Sequence, residues 1–151
     1  MNDAIKEFWR KFLENSGLDE SIECSDCFCF ELSESSANKL LELVLSGEKR
    51  ATSSSALAYG DAEAIPKVGQ YSIVTDWGGR PRCVIKTTRV RIVPFKDITY
   101  EMCILEGEDD TLESWRNGHR RFFITDGERS GYDFTDDMPV VFEEFENVFS
   151  E

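Results

Sequence analysis

The feature that most limits the folds open to this chain is a pair of strand-like runs, residues 70–76 and 82–92, meeting at Gly78-Gly79. Two glycines between β-rich segments are hairpin chemistry, since glycine takes the positive φ of tight hairpin turns without a steric cost. The second run, Val84-Ile85-Lys86-Thr87-Thr88-Arg89-Val90-Arg91-Ile92, mixes β-branched and basic residues at alternating positions. Period-two patterning gives one face to a core and leaves the other, with Lys86, to solvent or a ligand.

Helical patterns surround this hairpin. Ile5, Phe8, Trp9, Phe12 and Leu13 recur at helical spacing, with a stop at residues 15–17, so the aromatic stripe is expected to be core. A loop over residues 16–26 and a short strand over 27–31 should follow. Residues 33–46 put Ala37, Leu40, Leu41, Val44 and Leu45 on one face, with Ser33 available as N-cap. Residues 53–67, with Tyr59, Gly60 and Pro66, read as loop or a short helical piece. A short helix is expected over 97–105. Asp110-Thr111-Leu112-Glu113 resembles a capping box, with Asp110 as cap. It should open a helix over 111–124 whose inner stripe carries Leu112, Trp115, His119 and Phe122. A strand over 138–149 ends the chain. Strands and helices mix without βαβ alternation, so the expected class is α+β. Eleven Phe, four Tyr and three Trp within 151 residues support a folded globule, read as one domain over residues 1–151. Residues 1–30 are its N-terminal helical extension and first strand.

The formal net charge is −13, which disfavours non-specific duplex DNA as a partner, since duplex affinity comes largely from neutralised phosphates. The positive charges are not evenly spread: residues 39–96 hold ten of the 17 Lys and Arg. A basic middle inside an acidic shell suits a small anion or a single strand; acidic ends that keep the chain soluble are the plainer reading.

Within that middle, Gly47-Glu48-Lys49-Arg50-Ala51-Thr52 follows directly on the 33–46 helix. Gly47 suits the left-handed position just past a helix end. Lys49 then lies near the negative end of the helix dipole, with Arg50 and the Thr52 hydroxyl close by. The cluster is chemistry for a phosphate, a polar base or a nucleophilic threonine, or simply a glycine-capped helix with solvated basic residues.

No apolar run approaches the length of a membrane span, and the N-terminus lacks the pattern of a signal peptide. A cytoplasmic location is the expectation, in keeping with five cysteines expected to be reduced. Cys24, Cys27 and Cys29 form C-x-x-C-x-C, but there is no second C-x-x-C to complete a structural zinc site. Cys27 and Cys29, alternating with Phe28 and Phe30, read as small residues along a buried strand, and neither metal nor cofactor is expected.

The ordered set of motifs resembles the ASCH domain family, in its longer bacterial form with an added N-terminal aromatic helix. Gly47-x-Lys49-x-x-Thr52 matches the family's G-x-K-x-x-T signature. Gly69-Gln70-Tyr71, the run from Pro81 to Val90, Glu106-Gly107-Glu108-Asp109-Asp110, Leu112-x-x-Trp115-Arg116-x-x-His119 and Val140-Val141-Phe142-Glu143-Glu144-Phe145 follow in order. The resemblance implies a PUA-like fold, a small β-barrel flanked by helices, with a cleft for RNA or nucleotides. In the short ASCH enzymes that deacetylate acetylcytidine, it implies a threonine nucleophile, a lysine proton acceptor and a glutamate proton donor. By motif position these fall on Thr52, Lys49 and Glu108, with Glu106 competing for the last role. Some longer members are described as ribonucleases.

The chemistry of these residues bears on those roles. A lysine at a helix C-terminus is a cation near neutrality unless burial or a neighbour such as Arg50 strips its proton. As a cation Lys49 suits an oxyanion or a phosphate. Glu106, Asp109 and Asp110 would raise the pKa of Glu108, whereas the same acidic run also suits a helix N-terminus. His119 is the only histidine, so a two-histidine ribonuclease mechanism within one chain is excluded. Tyr59 and Trp77 are candidate stacking residues. Two function classes follow. One is a module binding single-stranded RNA, a nucleoside or a nucleotide in a basic cleft, with Gly47, Lys49, Arg50, Arg82, Lys86 and His119 around the ligand. The other is a hydrolase of a modified nucleoside or of RNA using Thr52, Lys49 and Glu108.

Overall fold

The computed structural model describes residues 1–30 and 32–151; Glu31, the last residue of the strand expected over 27–31, lies outside the described residues. In chain order the elements are α1 (Asp3–Ser16), β1 (Asp26–Phe28), α2 (Glu34–Ser46), β2 (Ala51–Ser55), β3 (Tyr71–Thr75), β4 (Pro81–Pro94), α3 (Tyr100–Glu106), α4 (Leu112–Ser130) and β5 (Pro139–Ser150). Short 3-10 turns occupy Ala56–Ala58, Ala62–Ala64 and Phe95–Asp97. The class is α+β, as expected.

The strands form one curved sheet in the order β1-β3-β4-β5-β2. Only β1 pairs in parallel, with β3; the other neighbours are antiparallel. The predicted hairpin is the β3–β4 pair, and the long β4 pairs with β5 along its whole length, through two irregularities. β1 and β2 are the sheet's edges, so the barrel-like wall is a half-barrel with an opening between them.

Helix α1 closes one side. Asn2 caps it, its side chain accepting from the Ile5 amide. Ile5, Phe8, Trp9, Phe12 and Leu13 are buried against Ile73 and Val84 of the hairpin. Phe8 meets Phe149 edge-on, and Phe12 packs on both Tyr71 and Phe149. Each such ring is worth roughly 1.5–3 kcal/mol of apolar burial, which fixes α1 as part of the core. On the opposite side α2 lays Leu40, Leu41 and Val44 against Val74, Ile85 and Phe145. A third cluster joins Trp115 and Phe123 of α4 to Phe95, Ile98, Met138 and Phe142.

Several expectations change. Residues 53–67 are not wholly loop: β2 takes Ala51–Ser55 and pairs with β5. The first strand is shorter than expected, because Phe30 leaves the sheet edge to pack on α2. Its cysteines are not core: Cys27 is exposed and Cys24 and Cys29 are half-buried, whereas Cys83 and Cys103 are buried. The cap of α4 is Thr111 rather than Asp110, accepting from the Ser114 amide, and the helix runs on to Ser130.

Candidate functional site

Lys49 is set in place by backbone on both sides. Gly47 ends α2 at φ 84°, and the Lys49 amide then returns to the Leu43 carbonyl. The next residue, Arg50, donates its amide to the Leu105 carbonyl at the end of α3 and accepts from the Phe145 amide in β5. The turn after α2 is thereby tied to the turn after α3. Gly107 completes the junction: its φ is 71°, and a Cβ there would collide with the Glu48 carbonyl. The two carboxylates flanking Gly107 are delivered to the lysine as a result.

The Lys49 ammonium lies 2.7 Å from Glu108 Oε2 and 3.4 Å from Glu106 Oε1, and 5.4 Å from the centre of the Phe30 ring. Glu106 is the hub. Its Oε2 accepts from Trp115 Nε1 at 2.6 Å and Ser53 Oγ at 2.9 Å, while Oε1 faces His119 Nε2 at 3.3 Å. His119 Nδ1 lies 2.9 Å from the Trp115 carbonyl, and the imidazole stacks on the Trp115 ring at 4.0 Å. Both ring nitrogens therefore face oxygen acceptors, which favours the imidazolium.

Burial disfavours every charge here, and the charges answer one another. For Lys49, burial pulls the pKa down, yet Glu106 and Glu108 outweigh it and hold the ammonium above the ordinary lysine range. Burial likewise works against the Glu106 carboxylate, but His119, Lys49 and the Trp115 hydrogen bond hold its pKa well below the usual carboxylate range. Burial raises Glu108 above that range, only partly opposed by Lys49. His119 is raised above the ordinary imidazole value, with burial overcome by Glu106. Both glutamates touch Lys49, but Glu106 already takes four partners. Glu108, with 16% of its side chain exposed, is the one left open.

A small cavity of about 40 Å³ brings Lys49, Thr52, Ser53, Glu106, Glu108 and His119 together with Phe30 and Phe122. That volume is large enough to admit a water molecule. It shares Phe30, Thr52 and Phe122 with a pocket of about 580 Å³ in the opening between β1 and β2. Phe28, Phe30, Tyr59 and Phe122 give this pocket aromatic walls; Asp26, Glu63 and Glu143 supply its charge. The Tyr59 hydroxyl is 2.8 Å from Ser54 Oγ. Glu106, Glu108 and His119 also offer ligand atoms within 4.8 Å of one another, the geometry of a divalent-cation site. In this arrangement the Lys49 ammonium already lies against both carboxylates and supplies the cation.

The lining of these two cavities is less basic than the expected cleft. Neither of these cavities is lined by arginine, and Lys49, the one lysine, is neutralised by its carboxylates. Of the residues expected around a ligand, Tyr59 and His119 line the cavities; Gly47, Arg50, Trp77, Arg82 and Lys86 line neither. The Lys86 ammonium lies over the Tyr71 ring, on the side packed by α1. Arg50 is exposed, and Trp77, 43% exposed, takes its place at the hairpin turn through a bond from its amide to Asn38. The basic stripe of β4 is met in space by the acidic β5, where Arg89 and Arg91 lie 3.7 and 3.2 Å from Glu144. Sequence reasoning missed Ser53, Phe30 and Glu143. The only hint of Glu143 was its place beside Glu144 between Phe142 and Phe145 in the last strand.

A model of the ASCH domain matches residues 26–149. The chain belongs to the ASCH domain family. Two crystal structures extend the likeness over its full length. Protein EF3133 of Enterococcus faecalis is 34% identical, with a TM-score of 0.88 over 100% of this chain and 96% of that one. An ASCH domain from Lactobacillus crispatus is 31% identical, with a TM-score of 0.87 over 98% of this chain and 96% of that one. No functionally curated protein matches the chain. Among the described residues, no helix of this ASCH domain is long and apolar enough to cross a membrane.

Proposed function

We propose that this ASCH domain binds a nucleoside, free or as an unpaired nucleotide of RNA, with the base inside the half-barrel opening. The observation that carries this reading is the aromatic-walled pocket of about 580 Å³ that ends on Thr52. Flat aromatic faces stack bases, each contact being worth about 1–3 kcal/mol. Among the described residues its lining has Asp26, Glu63 and Glu143 and no Lys or Arg, which favours a neutral or amine-bearing ring inside and keeps phosphates outside. Equilibrium binding of nucleosides and of labelled single-stranded RNA tests it. Retention of either supports the reading, and no binding to either at millimolar nucleoside and micromolar RNA sinks it.

The Lys49–Glu108 pair beside Thr52 favours a second reading, hydrolysis of an acylated amine on the base. Thr52 Oγ would attack the acyl carbon while its proton passes to Glu108, and the Lys49 ammonium would face the developing oxyanion. Cleavage of the C–N bond returns that proton to the departing amine, and water then frees the acyl group as a carboxylic acid. Lys49 and Glu108 exchange the roles implied by the short ASCH enzymes, because a lysine held above its ordinary pKa by two carboxylates is a poor base. Glu108, raised by burial, is the better proton acceptor. Release of acetate from acetylcytidine tests this reading; binding without release leaves the module alone.

A further inference from the structure

Glu143 enters the first reading only as one of the carboxylates lining the large pocket. It stands directly opposite Thr52 in the β2–β5 ladder, and directly paired residues project their side chains from the same face of a sheet. Both line the large pocket. Glu143 is only 8% exposed, a depth at which a carboxyl is rarely left without partners. One oxygen, Oε2, accepts from Thr87 Oγ1 at 2.6 Å; the other makes no hydrogen bond among the described residues. The neighbouring Ser54 and Tyr59 hydroxyls are engaged with each other. One carboxyl oxygen thus carries no protein hydrogen bond among the described residues, in a side chain held by Thr87 that lines the pocket together with the threonine proposed as nucleophile.

We propose that Glu143 reads the base, pairing with an edge that carries an exocyclic amine, so that cytosine and adenine are taken in preference to uracil. A carboxyl group matches such an edge at two points. Its carbonyl oxygen accepts from the amine, and its acidic proton, or one shared with the ring, bridges to the adjacent ring nitrogen. Burial raises Glu143 above the usual carboxylate range, which eases that proton sharing. Uracil presents an oxo group where cytosine has the amine, so an acceptor would meet an acceptor as long as the Thr87 bond fixes which carboxyl oxygen carries the proton. The same register sets the exocyclic nitrogen on the side of the pocket where Thr52 lies. The inference rests on the nucleoside reading of the pocket and adds the determinant of its selectivity.

The test is calorimetric titration of the purified protein with cytidine and uridine, a pair differing at the amine and the adjacent ring nitrogen, in the parent, Glu143→Gln and Thr87→Val. A bidentate base contact is worth about 1–3 kcal/mol of discrimination, so the parent should bind cytidine about 10-fold or more tightly than uridine. Glu143→Gln should bring the ratio to within about twofold, since a carboxamide can turn to suit either base. Thr87→Val, which keeps the carboxyl but frees it, should lower the ratio, and Thr87→Ser should restore it. Binding of both nucleosides without preference, or an unchanged ratio in Glu143→Gln and Thr87→Val, overturns this assignment while the nucleoside reading stands. Binding of neither nucleoside overturns this assignment, and overturns the nucleoside reading as well if labelled single-stranded RNA is not retained either.

Discussion

Glu108 Oε2 lies 2.7 Å from Lys49 Nζ, across 59 residues of chain, and is the more exposed of the two carboxylates on that ammonium. Glu106 is buried and held by Ser53, Trp115 and His119. The two glutamates should therefore answer mutation differently. Glu106→Gln leaves Lys49 buried with one carboxylate and His119 with none in contact, and should cost about 3–5 kcal/mol of stability, the usual penalty for breaking a buried ion pair. Glu108→Gln should cost less and act on turnover instead. Urea denaturation of both variants, with acetate release measured in parallel, checks the contrast.

Gly107 is expected to be the most sensitive backbone position of the site. Gly47→Ala and Gly107→Ala both force a side chain into the left-handed region, at about 1–2 kcal/mol each. Only at Gly107 does the new Cβ also meet backbone, at the Glu48 carbonyl; at Gly47 the space is open. Gly107→Ala should thus cost a further 1–3 kcal/mol or so. Equal denaturation midpoints for the two variants would contradict the account of the junction.

His119 gives a pH signature that can be read cleanly, because the chain has a single histidine. Its folded pKa is raised above 6.5, so its contribution to stability is complete below about pH 6.5 and is lost as pH rises through the folded value. Glu106 has the opposite sign. Its pKa is lowered from 4.5, and its contribution is present above that pH and lost as pH falls toward the depressed value. An NMR titration of the imidazole carbon-bound protons should give a midpoint above 6.5; one at or below 6.5 would mean that burial outweighs the Glu106 carboxylate.

Thr52→Ala separates the two functional readings. In a hydrolase, acetate release should fall by at least about 10²-fold while nucleoside affinity changes less than twofold or so. Release that survives the substitution would remove Thr52 as nucleophile.

The helices were legible because their chemistry is local. Apolar residues at helical spacing, Ser33 as cap and Gly47 as stop are read without knowing the neighbours. β2 was not, since Ala-Thr-Ser-Ser-Ser has no apolar alternation. Its hydroxyls are spent on partners distant in sequence or newly turned toward it, Ser53 on Glu106, Ser54 on Tyr59 and Ser55 on the Met138 sulfur. The meeting of Lys49, Thr52 and Glu108 in one cavity was an implication of the ASCH resemblance rather than of any local pattern. The sign of the larger pocket was not legible, because Arg89 and Arg91 look free along the chain, and their partner Glu144 arrives only when β5 pairs with β4.

The most direct test of where the ligand enters is an NMR titration of isotope-labelled protein with cytidine, following backbone amides. The account predicts shifts that saturate together at Thr52, Tyr59, Glu143 and Phe122, with Trp77, Arg82 and Lys86 unmoved. Saturating shifts at Trp77, Arg82 and Lys86, with the residues of the half-barrel opening unchanged, would contradict it.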